Sequence, residues 1–465
     1  MSMSEFIKFP SDFYWGCASS GAQSEGNINK ANESTWDHWH HIEPERFFNG
    51  IGPDIACNTY MHFAEDIKLM KVLKFNSFRT SIQWSRLIKN FDTCELDEDG
   101  VRFYNAYIDE LIAEGIEPFI TLFHFDMPIA LQNRGGWASK DVVELYVRYA
   151  KTAFQLFGDR VKKWFTFNEP IVPVEGGYLY QFHYPNEVDF KKAIQVAYNT
   201  NLASAKAIEA YREASGDGEI GIVLNLTPSY AASDSAQDVD AAHLADAMFN
   251  RSFLDPSIKG SFPKELIELF KIYGLMPETT EEELSIIRNN TIDILGVNYY
   301  QPRRIQAKAA PIDKNAPIMP ETFFDNYIWP DRRMNIYRGW EIYPKAIYDI
   351  AVNLKENYGN VKWFISENGM GVEGEERFLD ENGIVIDDYR IDFIKEHLFW
   401  LQKGMAEDSN CVGYHLWTFV DNWSWVNAFK NRYGYVSLDL ANGKRTIKKS
   451  GHWIASVIED AGFEF

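Results

Sequence analysis

Short apolar runs alternate with longer amphipathic stretches along the whole chain. Eight of the runs, at 14–19, 77–82, 118–124, 163–168, 220–225, 293–299, 362–366 and 412–418, are rich in aromatic and β-branched residues and read as strands. Between them, segments such as 60–73, 140–157, 191–214, 344–356 and 392–403 place apolar residues three or four apart, the period of a helix with one buried face. Strands alternating with helices predict an α/β architecture, and eight such strands predict a (β/α)8 barrel. No linker, repeat or low-complexity tract divides the 465 residues, so one barrel domain spanning 1–465 is expected. After the sixth strand, residues 303–335 are polar and proline-rich, and a connection that long is expected to form a functional lid or wall.

Two of the runs end alike. Lys163–Asn168 leads into Glu169-Pro170, and Trp363-Phe364-Ile365-Ser366 leads into Glu367-Asn368-Gly369. In a parallel barrel this grammar sets a carboxylate at the carboxyl end of a buried strand, where catalytic groups gather. A single strand-terminal glutamate can simply be solvated or cap a helix. Two in matching contexts are the equipment for cleaving a glycosidic bond.

Composition narrows the reading further. A net charge of −21 with no basic stripe excludes a nucleic-acid partner. No apolar stretch reaches the roughly 18 residues of a membrane span. Cys17, Cys57, Cys94 and Cys411 form no C-x-x-C pair, and the first residues lack the apolar core of a signal peptide. Free thiols and a cytoplasmic location are expected. The 14 Trp exceed what packing usually needs, and aromatic faces stack on sugar rings, although core filling accounts for most of them. The histidine-rich segment from Trp36 to His41 is read as structural rather than metal-binding.

Ordered motifs add a resemblance. F-Y-W-G-C-A-S-S-G-A-Q-S-E-G at 13–26 is followed by F-R-T-S-I-Q-W-S-R at 78–86, H-F-D-M-P at 124–128 and T-F-N-E-P at 166–170. G-V-N-Y-Y at 296–300, G-W-E-I-Y-P at 339–344 and I-S-E-N-G at 365–369 complete the set. Over essentially its whole length the chain resembles glycoside hydrolase family 1, whose members are retaining β-glycosidases on a single barrel. The resemblance implies Glu367 as nucleophile and Glu169 as acid and then base, with no metal or cofactor. It implies that Arg79 and Tyr300 support the nucleophile and that Asn168 holds the sugar 2-hydroxyl. Gln23, His124, Asn298, Trp340, Trp417 and Trp425 would complete the sugar site, with Trp417 as stacking floor. Retention requires carboxyl groups roughly 5–5.5 Å apart, and such proximity should raise the pKa of Glu169.

One departure bears on the substrate. Ordinary β-glucosidases of the family carry N-F-E-W after the eighth strand, whereas this chain reads Asn422-Trp423-Ser424-Trp425. A carboxylate there would repel a phosphate on the sugar 6-position, and a hydroxyl can donate to it. Ser424, Lys430 and Tyr433 resemble the trio that the family's 6-phospho-β-glycosidases use, although Lys430 comes one residue early. The expected partner is therefore a small phosphorylated β-glycoside. Gluco or galacto configuration, aglycone and oligomeric state stay open. So do two rivals, a glycosidase for unphosphorylated sugars and a silent sugar-binding protein on the same barrel.

Overall fold

The eight apolar runs become eight parallel strands. In a computed structural model that describes residues 5–214, 216–310 and 316–465, they are β1 Tyr14–Ala18, β2 Ser77–Ser81, β3 Glu117–Thr121, β4 Lys163–Asn168, β5 Glu219–Asn225, β6 Ile294–Asn298, β7 Trp363–Asn368 and β8 Cys411–Trp417. Each pairs with the next in sequence, and β8 returns to β1 to close the barrel. The (β/α)8 expectation holds, with strand ends within three residues of those read from the pattern, the largest offset at the end of β3. Short strands at the two ends of the chain, Phe6–Lys8 and Gly462–Glu464, pair with each other.

Helix Lys140–Phe157 illustrates how the outer layer is held. Val142, Leu145, Tyr146, Tyr149, Ala153 and Phe157 recur at helical spacing and are all buried, and Gly158 follows the last turn. Burying each large side chain is worth about 1.5–3 kcal/mol. The two tyrosines also serve the barrel rim. Tyr146 Oη donates to the Thr166 carbonyl at 2.5 Å, and Tyr149 Oη to the carbonyls of Ile82 and Leu122 at 3.0 and 2.9 Å. Backbone acceptors that the strand ladder leaves unpaired are thereby satisfied.

Inside the barrel, Phe119, Phe165, Val223, Ile294 and Phe364 form a fully buried plug. His415 packs against Phe119 and Phe364 and shares a 2.9 Å hydrogen bond with Ser77 Oγ. The plug fills the barrel interior, and in such barrels ligands meet the carboxyl ends of the strands. There the ladder breaks regularity. Register shifts fall between Phe165 and Asn168, between Val297 and Asn298, and between Ile365 and Asn368. Such irregularities re-aim the side chains beyond them. Phe165 faces the plug, whereas Phe167 packs outward on Trp137 and Tyr146.

The 303–335 stretch is more ordered than its composition suggests. Arg303–Ala307 pairs in parallel with Ser229–Ala231 and antiparallel with Phe324–Asn326, and Met334–Asn335 pairs with Trp340–Glu341. Ile305 and Phe324 anchor the sheet in the core, while the Arg304 guanidinium lies over the rings of Tyr230, Trp329 and Tyr343 at 4.4–4.8 Å. Residues 311–315 lie outside the described residues.

Candidate active site

Four barrel strands deliver the central cluster. Arg79 of β2 donates to the Glu367 carboxylate of β7 and, through Nη1, to Asn168 Oδ1 of β4 at 2.8 Å. Tyr300 Oη, just beyond β6, donates to Glu367 Oε2 at 2.6 Å. Asn298 Nδ2 donates to Glu169 Oε1 at 2.8 Å and to Asn168 Oδ1 at 3.1 Å, while Asn168 Nδ2 meets His124 Nε2 at 3.1 Å. Seven of the residues singled out from the sequence thus form one buried network. Glu169 sits at φ 43°, a left-handed conformation unusual for a side-chain-bearing residue and frequent where function constrains the backbone.

The environment treats the two carboxyls differently. Burial raises Glu367, but Arg79, Tyr300 and Asn298 all favour its charged form. Burial also raises Glu169, and there the charge of Glu367 adds to the effect, pushing it up to about 8. Glu367 therefore ionises first and Glu169 keeps its proton at neutral pH. Burial, with the nearby Arg79 charge, drives His124 well below its ordinary value, so it stays a neutral imidazole. His124 Nδ1, Asn298 Oδ1 and Arg79 Nε are buried without a partner among the described residues.

Other expected positions surround this cluster. The Trp417 ring lies near-parallel to His124 at 6.1 Å. Trp340 packs on Tyr300 at 5.2 Å. Trp425 stacks on Trp36 at 4.5 Å, a partner that the sequence reading had assigned only a structural part. Gln23 is buried with its amide committed to the protein, Nε2 donating to the Trp423 carbonyl and Oε1 accepting from Ser20 Oγ, both at 2.9 Å.

The loop after β8 carries Ser424 and Tyr433, both buried. A buried ion network fixes it from below. Lys448 Nζ binds Asp421 Oδ1 at 2.9 Å and also Glu375, and Gly434 N donates to the same Asp421 oxygen at 2.8 Å. Arg390 bonds Glu375 at 2.7 Å and the Arg432 carbonyl at 3.0 Å. Burial alone would raise Glu375, yet Arg390 and Lys448 hold it at about 2. Gly371 has no room for a side chain, because a Cβ there would meet the Tyr433 ring at 2.4 Å. Lys430 points elsewhere, to Glu373 Oε1 at 3.3 Å, with its side chain 40% exposed. Beside Tyr433 lies a cation that sequence reasoning missed, Arg338, which opposes the upward push of burial on the phenol. Its only sequence signal is its place just ahead of the G-W-E-I-Y-P motif.

This constellation can be set beside known proteins. The glycosyl hydrolase family 1 model matches residues 6–463. The chain belongs to that family. It is 59% identical over 100% of both chains to the 6-phospho-β-glucosidase GmuD of Bacillus subtilis. It is 33% identical to a 6-phospho-β-galactosidase of Clostridium acetobutylicum, over 97% of this chain and 96% of that one. Among solved structures, the family 1 β-glucosidase of Thermotoga maritima superposes with a TM-score of 0.90 at 34% identity, covering 99% of this chain and all of the other. The relatives thus include enzymes named for phosphorylated and for plain sugars, and family membership alone does not choose between them.

Proposed function

We propose that this chain is a retaining 6-phospho-β-glycosidase with 6-phospho-β-glucosides as preferred substrates. The observation that carries the reading is the full-length 59% identity to the Bacillus subtilis 6-phospho-β-glucosidase. Ser424, standing where plain glucosidases of the family carry a glutamate, agrees with it.

The chemistry follows from the unequal carboxyls. Ionised Glu367 attacks the anomeric carbon as the bond to the leaving oxygen breaks, and neutral Glu169 gives that oxygen its proton. A glycosyl ester on Glu367 results. Glu169, now ionised, takes a proton from water, whose oxygen attacks the anomeric carbon and frees Glu367. Two inversions restore the β configuration. Arg79 and Tyr300 keep the nucleophile charged, and Asn168 is placed to hold the 2-hydroxyl. Ser424 and Tyr433 hold the 6-phosphate together with a cation. The free cysteines and a substrate made by phosphorylating import favour a cytoplasmic enzyme.

The test is a comparison of kcat/KM on 4-nitrophenyl β-glucoside 6-phosphate, the galactoside 6-phosphate and both unphosphorylated parents. The glucoside 6-phosphate should be fastest. Faster hydrolysis of either plain parent would overturn the phosphate reading, and no turnover of any would favour a silent sugar-binding protein.

A further inference from the structure

We infer that Arg338 is the cation that recognises the 6-phosphate, in place of Lys430. The inference rests on the phosphate reading above and adds the residue that confers it. Arg338 follows the short strand Met334–Asn335 in the wall beyond β6, and its guanidinium lies 4.3 Å over the Trp340 ring. Trp340 packs on Tyr300, which bonds the nucleophile, so Arg338 borders the same pocket one ring further out. On its other side the guanidinium adjoins the buried Tyr433 phenol.

The wall is pinned at both flanks, to the loop after β7 and to the loop after β8. Asn335 Nδ2 donates to the Gly371 carbonyl at 3.0 Å, and Asn431 Nδ2 approaches the Tyr337 carbonyl at 3.5 Å. Arg338 is therefore held, not left to wander.

No carboxylate among the described residues pairs with Arg338, and its one hydrogen bond is to the neutral Tyr433 phenol. Arg303, Arg304 and Arg333 in the same wall each pair with a carboxylate, Glu175, Glu341 and Glu396 respectively. Arg338 Nε is buried and has no partner among the described residues. A half-buried guanidinium with a free donor edge, flanked by a phenol and near a serine-bearing loop, is chemistry suited to a phosphate dianion. Lys430 is less suited, because Glu373 already pairs with it and its side chain is 40% exposed to solvent.

The test uses Arg338→Gln, Arg338→Lys and Lys430→Gln in the full-length enzyme. Its readout is the preference ratio, kcat/KM on 4-nitrophenyl β-glucoside 6-phosphate over that on the plain glucoside. Arg338→Gln should cut the ratio about ten- to hundred-fold, the worth of a charge-assisted contact, and Arg338→Lys should fall between it and wild type. Lys430→Gln should change the ratio less than about threefold, the scale of an exposed pair. A ratio within twofold of wild type for Arg338→Gln overturns the inference. So does equal loss on both substrates, which would make Arg338 structural, or a larger fall from Lys430→Gln. A wild-type ratio at or below one refutes the phosphate reading itself and the inference with it.

Discussion

Removing the Tyr300 hydroxyl should shift one limb of the pH profile and leave the other in place. In Tyr300→Phe the ring and its packing on Trp340 remain, and only the 2.6 Å hydrogen bond to Glu367 Oε2 is lost. A hydrogen bond to a charged group is worth about 1.5–3 kcal/mol. At 1.36 kcal/mol per pKa unit, that raises the Glu367 pKa by about 1–2 units. The acid limb of kcat/KM, where the nucleophile must lose its proton, should move up by that amount. The alkaline limb reports Glu169, held near 8 by burial and by the Glu367 charge, and should stay put while Glu367 remains ionised there. The assay is a kcat/KM profile on 4-nitrophenyl β-glucoside 6-phosphate for both proteins. The substrate phosphate also titrates near pH 6, but it does so equally for both, and their difference isolates the enzyme. An unmoved acid limb, or an alkaline limb that moves instead, would refute the assignment of roles.

Three further outcomes are expected. Glu169→Ala should still form the glycosyl-enzyme from a substrate with a good leaving group and stall there, and azide should release the β-glycosyl azide; an α-azide would mean the two carboxylates are exchanged. Ser424→Glu should lower activity on the 6-phosphate by about ten- to hundred-fold and raise it on the plain glucoside, and equal loss on both would make the loop structural. Glu169→Gln should stabilise the fold progressively as pH rises. Because the folded-state pKa is raised to about 8, the native state holds a proton the unfolded chain has shed between roughly pH 4.3 and 8, so wild-type stability falls with pH across that window. The Tm difference between variant and wild type should widen from pH 5 to 8, and a constant difference would contradict the raised pKa.

Much of this was legible in the chain because the barrel repeats one pattern. Each strand is short, apolar and bounded by polar punctuation, and a carboxylate at the end of such a run can point only to the strand's carboxyl side. Glu169 and Glu367 stand out on that logic alone, without any motif. Strict alternation, however, would put Phe165, Phe167 and Glu169 on one face. The register break between Phe165 and Asn168 separates them, and no residue there announces it. The short strands within the 303–335 wall leave no sequence signal for a related reason. They are too short to show a period, and their order comes from Ile305, Phe324 and the stacking of Arg304, contacts made with distant segments.

The phosphate loop shows the same limit from the side of charge. Counting from Ser424 finds Lys430, since a local motif can rank only nearby residues. What decides a cation's use is whether its charge is already spent, and that depends on residues far off in sequence. Glu373 occupies Lys430 from the loop after β7, whereas Arg338 reaches Tyr433 from the wall beyond β6. The same holds for the catalytic pair. Two identical glutamates acquire opposite tasks because Arg79 and Tyr300 converge on one of them and burial beside a fixed charge acts on the other. Sequence fixes which groups are available. The closing of the barrel, by choosing their neighbours, sets which of them carry a proton at neutral pH.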